Sequence, residues 1–135
     1  MPRLRVWFVC CLAAAVVASI GVAQAVDAAF PFDRELILEA APMHGSKRVP
    51  ILEIGQNGVA SINLWCAQVR GQANVGVDTI SIMPGPLEPA QCAPDRQSGD
   101  ESLLAALAQV TNWRRRGDII ELRGATTLRF RLMTN

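Results

Sequence analysis

The hydrophobic period of this chain changes twice, and that switch limits the folds open to it. From Val59 to Ala67 apolar residues alternate. Ala60, Ile62, Leu64 and Cys66 fall on one side, and Ser61, Asn63 and Trp65 on the other. A period of two marks a half-buried strand, with Cys66 on its apolar face. Leu36-Ile37-Leu38, 49–54, 69–77 and 79–83 read in the same style, the third weakened by Gly71 and Gly76. Then Leu103, Leu107 and Val110 recur at i, i+4 and i+7, with Leu104 and Ala108 beside them. That spacing predicts one amphipathic helix over 99–111. Beyond it the period returns to two. Trp113 opens a strand, 119–123 forms another, and Leu128, Phe130 and Leu132 alternate with Arg129 and Arg131.

Turn chemistry separates these segments. Asn57-Gly58 is the strongest hairpin signal, because Asn-Gly accepts the positive φ of a type I′ turn. Pro84-Gly85-Pro86 ends one strand and opens a loop that holds Pro89, Cys92 and Pro94. Ser98-x-x-Glu101 reads as a capping box at the helix start, and Asp100 and Glu101 suit the positive end of the helix dipole. Gly117-Asp118 and Gly124-Ala125 punctuate the C-terminal strands. The fold class is mainly β with some α: about seven short antiparallel strands and one helix inserted before the C-terminal ones. A small barrel-like or strongly curled sheet, with the helix packed on its mouth or face, would bury both patterns.

The first residues read as an address. Arg3 and Arg5 precede an apolar run from Val6 to Ala18, and Ala23-Gln24-Ala25 follows with small residues at the −3 and −1 positions. Positive start, apolar centre and A-x-A end are the parts of a secretory signal peptide. Cleavage is expected after Ala25, with Ala28 as the runner-up, leaving 26–135 as one domain. An uncleaved anchor is the rival reading, since the apolar stretch is marginal for a span. Cys10 and Cys11 sit near the start of the run, behind Val9, where a lipidated cysteine does not belong. Losing Arg3 and Arg5 leaves 11 basic against 12 acidic residues, so a binder driven by phosphate attraction is excluded. The mature protein is expected to be periplasmic or secreted, not held in a membrane, not bound to nucleic acid, and monomeric.

Export also decides how the cysteines are read. Cys66 and Cys92 are the only cysteines after Ala25. In an oxidising compartment they are expected to form a structural disulfide. A redox or nucleophilic role would need a C-x-x-C pair or an activating base. Neither is evident, since His44 is the single histidine and sits in a Gly/Ser turn.

The C-terminal half follows an ordered pattern: Asp100-Glu101, Leu103-Leu104-x-x-Leu107, Val110, Trp113, Gly117-Asp118, Ile120-Glu121-Leu122, Leu128-x-Phe130. Upstream, Gly58 opens a strand that runs to Cys66, Gly71 follows, and Cys92 lies in the loop before the helix. This set, spanning Leu36 to Leu132, resembles the META domain family, the HslJ-like exported proteins. The resemblance implies a small barrel-like domain with one helix and a paired-cysteine disulfide. It also implies a loose association with heat shock, envelope stress, secretion and motility, and supplies no catalytic set. Many members carry Gly-Cys-Asn where this chain has Trp65-Cys66-Ala67, and Met-Ala-Cys where it has Ala90-Gln91-Cys92. A role that depends on that Asn does not carry over.

Candidate contact residues are Trp65, Arg114, Arg115, Arg116, Arg129 and Arg131. Trp65 alternates away from the core side and could instead pack under the helix or against a loop. The three consecutive arginines sit beside a turn, where long charged side chains also simply reach water. Arg129 and Arg131 face outward on the last strand. No catalytic triad, zinc set, phosphate loop or dinucleotide fingerprint is found, so no catalytic residue, metal or cofactor is expected. The expected function is an exported, non-enzymatic envelope domain of stress-protective or binding type. Its partner would be an envelope protein or a small ligand. The alternative is a secreted inhibitor or adaptor that docks on a partner protein.

Overall fold

The computed structural model describes residues 29–88 and 91–134; the signal-peptide reading lies outside them. Eight strands and one helix follow in the order β1 (Leu36–Leu38), β2 (Ile51–Ile54), β3 (Val59–Asn63), β4 (Gln68–Val75), β5 (Ile80–Pro84), α1 (Pro94–Ala108), β6 (Asn112–Arg116), β7 (Ile119–Arg123) and β8 (Thr127–Leu132). All pairings are antiparallel, in the order β5-β4-β3-β2-β1-β8-β7-β6. This is a meander that travels once around and brings its two end strands together. β5 and β6 meet at one bridge, Thr79 with Asn112, held by Trp113 N–H to Asp78 O and Ile80 N–H to Thr111 O at 2.9 Å each. The barrel is therefore nearly closed, with a seam between β5 and β6.

Alternation put the core where the period of two predicts it. Leu36, Leu52, Ile54, Ala60, Ile62, Ile120, Leu122 and Phe130 are each 2% exposed or less and point inward. α1 adds Leu103 and Leu107, with Val110 just beyond it. The helix crosses the barrel end that carries the β1–β2, β3–β4 and β7–β8 connections. Within the helix Gly99 lies against Met43 and Trp65; past its C-terminus Gly124 presses on the Gln109 carbonyl with no room for a Cβ. The opposite end is crossed by Phe30–Asp33, where Asp33 N–H donates to Ile54 O at 2.9 Å.

Four local expectations are corrected. The helix begins at Pro94, not Gly99, because Pro fits the first helical position, whose N–H needs no partner. Ser98 then lies inside the helix and the capping box does not form; the N-cap is Ala93, without a side-chain cap. The Asn57-Gly58 hairpin exists, but only Gly58 has positive φ (81°), and Gly58 N–H closes on Gly55 O at 2.9 Å. That is a four-residue turn ending in a left-handed glycine, where type I′ needs two such residues. Cys66 lies past the end of β3, in the Leu64–Ala67 turn, and not on the strand's apolar face.

Candidate functional site

Cys66 and Cys92 are bonded, Cα atoms 6.0 Å apart, across 26 residues. The bridge ties the β3–β4 turn to the chain just ahead of α1. A second fastener joins the same two elements. Asp100, 1% exposed on α1, turns its carboxylate to that turn. Cys66 N–H donates to its two oxygens at 3.1 and 3.2 Å, and Ala67 N–H donates at 2.9 Å. A buried carboxylate without a cation is tolerated when backbone N–H groups hold it. The helix dipole accounts for an acid at this position, but the buried role of Asp100 has no local signature in the sequence.

The seam opens into a cleft of about 790 Å³ at the end opposite the helix. It forms because β6 runs on past the Thr79–Asn112 bridge while the chain ahead of β5 curls away into the β4–β5 turn. One wall is that turn, with Val75 and Val77, the latter 95% exposed. The other wall is β6, from Trp113 to Arg115. Phe30 and Phe32 form the base. Their rings lie 5.1 Å apart, and Phe30 meets Trp113 edge-on at 5.1 Å. Trp113 Nε1–H donates across the cleft to Gly76 O at 3.0 Å, so both walls are held in place.

Arginines rim this cleft. Arg115 donates through Nη1 to Ala29 O at 3.0 Å and through Nε to Gly117 O at 2.8 Å, which fixes its cation beside the N-terminal crossing. Arg114 lies 4.0 Å from Glu121, and its Nε is buried with no hydrogen-bond acceptor among the described residues. Arg116 follows at the end of β6. Farther round the outer face, Arg129 and Arg131 pair with Glu39 at 3.4 and 2.8 Å, and Arg123 pairs with Glu121 at 2.8 Å. The Arg123 hydrogen bond, aided by the charges of Arg123, Arg116 and Arg129, holds the Glu121 carboxyl below the usual range.

The sequence-derived contact residues thus separate. Arg114 and Arg115 line the cleft and Arg116 adjoins it. Arg129 and Arg131 belong to an ion-paired strip on the outer sheet. Trp65 lies apart, half-buried against Gly99 of α1, with its indole N–H buried and without an acceptor among the described residues. Phe30, Phe32 and Val77 were not singled out from sequence; only the crossing segment and the curled turn bring them together. His44 is exposed in its turn. Among the described residues, no group of three or more His, Cys, Asp and Glu could hold a metal ion, and no helix is long and apolar enough to cross a membrane.

The META domain pattern matches residues 34–135. Two solved structures share the fold. One NMR structure, of a protein from Burkholderia xenovorans, superposes with a TM-score of 0.60 at 20% identity, covering 77% of this chain and 84% of that one. Another NMR structure gives a TM-score of 0.58 at 14% identity, covering 73% of this chain and 88% of that one. No curated protein matches the chain.

Proposed function

The chain belongs to the META domain family, and on that footing we propose that it is an exported, non-enzymatic domain of the cell envelope, periplasmic or secreted, of stress-protective or binding type. One observation carries the reading: the cleft at the barrel seam is apolar and aromatic at its base and charged at its rim, with its walls tied to each other by the Trp113–Gly76 hydrogen bond. Concave, largely apolar sites with a few placed polar groups are the usual form of a ligand site. Val77 supports it, since an exposed valine at the lip of such a cleft is apolar surface ready to be covered. The A-x-A end of the N-terminal segment supports export. The alternative is a secreted inhibitor or adaptor that docks on a partner protein; Trp65 is half-buried beside Gly99 of α1, so the seam cleft offers that reading the more open surface.

The test uses the chain expressed with its N-terminal segment. Recovery from the periplasm with Val26 at the N-terminus is the expected result; intact Met1 in the membrane fraction contradicts it. The purified protein should take up an apolar fluorescent dye, and Val77→Asp should abolish uptake. Met83→Asp should not, because Met83, 57% exposed, lies on β5 outside the residues that line the cleft. Equal loss in both variants would sink the binding reading.

A further inference from the structure

β6 is the last strand of the sheet, and its outer edge is bare beyond the seam bridge. Trp113 N–H points to that edge, donating to Asp78 O. In an antiparallel strand the N–H and C=O of one residue share a side, and every second residue repeats it. Arg115 therefore presents its N–H and C=O to the same side as Trp113. Past the Thr79–Asn112 bridge, no strand among the described residues pairs with that side of β6. The bare groups lie along the wall of the aromatic cleft.

We propose that this cleft takes an extended, acidic segment of a partner polypeptide, which adds to the open edge of β6 as a further strand. The inference rests on reading the cleft as a binding site. A bare strand edge recognises main chain, and alternate side chains of an added strand enter pockets on one side. Here those side chains meet Phe32, Trp113 and Val77. The opposite set meets the rim, where Arg114 and Arg116 share the outer face of β6, while Arg115, on the face of Trp113, reaches across to Ala29 O. Arginines on an exposed edge oppose pairing with a second copy of this chain, since that would set like charges against one another. The same three charges favour an acidic strand. A small apolar ligand would use the base of the cleft but leave the backbone of Arg115 untouched.

The probes are short synthetic peptides of alternating Glu and Val, the same peptide with Lys for Glu, and two versions of the acidic peptide N-methylated on one or the other alternate set of amides. Binding is read from backbone amide shifts of the mature protein and from Trp113 emission in a Trp65→Phe variant. The acidic peptide is expected to bind saturably and shift the Arg115 amide. Methylating one alternate set should weaken binding about tenfold or more and the other set little, because only one set faces the edge. The Lys peptide should bind about tenfold more weakly, and Val77→Asp should weaken the acidic one similarly. Equal effects of the two methylations, or no shift at Arg115, overturn strand addition. If the dye binds at the cleft but no peptide does, the inference fails and the binding reading stands; if neither binds, both fail.

Discussion

Asp100 offers the sharpest test of how the helix is fixed to the barrel. Asp100→Ala removes the only side-chain acceptor, among the described residues, of two backbone N–H groups, those of Cys66 and Ala67. An unsatisfied buried N–H costs about 1–3 kcal/mol, and bonds to a charged acceptor sit at the upper part of that range. Ala67 is buried and Cys66 half-buried, so the second N–H recovers part of its loss from water. The expected total is about 2–4 kcal/mol. For a domain of this size that lowers the midpoint by about 8–16 °C. Asp100→Asn keeps one oxygen and should cost about half as much. Urea unfolding of the mature protein, with unchanged m-value, measures both, and hydrogen exchange should speed up at Cys66 and Ala67 before it does in β7. A loss below about 0.5 kcal/mol for Asp100→Ala would refute the claim that this carboxylate holds the turn.

The bridge acts on the same turn. Cys92→Ser should cost about 2–4 kcal/mol, since a loop of this length restricts the unfolded chain by about 3.5 kcal/mol. The double variant with Cys66→Ala should cost no more than the single, as urea unfolding would check. Unreduced protein should weigh two hydrogens less than its sequence; freely alkylated thiols would contradict the bridge. Glu121 has a lowered pKa in the folded state, so its contribution is present above the unfolded carboxyl range and lost as pH falls through the folded value. Glu121→Gln should flatten stability against pH in acid, by under about 1 kcal/mol because its main partner, Arg123, is exposed, and salt should shrink the difference. Gly124→Ala should destabilise by about 1–3 kcal/mol, because a Cβ there meets the backbone at Gln109 and Val110; unfolding by heat reads it.

Where local chemistry decides, the sequence was readable. The alternation through Ile62, Leu64, Phe130 and Leu132 gave the inward face of each strand, and the i, i+4 spacing of Leu103 and Leu107 gave the helix stripe. The expectation of export pointed to one bridge between Cys66 and Cys92, and the two are bonded. What failed depended on competition between local signals. Pro94 outranked the Ser98 capping box, because a proline at the first helical position needs no side-chain cap, and a box inside a helix finds its N–H groups already used. The cleft was not readable at all. It depends on how far β6 slides past the β4–β5 turn, and on the crossing of Phe30 and Phe32 at the barrel end, both set by closure of the whole sheet. The helix dipole alone accounts for an acid at position 100, but its partners, two backbone N–H groups more than thirty residues away, leave no mark in sequence.

The proposed function requires the seam cleft to be an occupied surface. A photo-crosslinking amino acid placed at Val77 of the exported chain, with the same group at Met83 as reference, asks this directly in living cells. The expected result is a discrete adduct from position 77, lost when Arg114 and Arg116 are both changed to Glu, with none from position 83. Adducts of equal yield at both positions, or none at 77 while the chain is folded and exported, would contradict it.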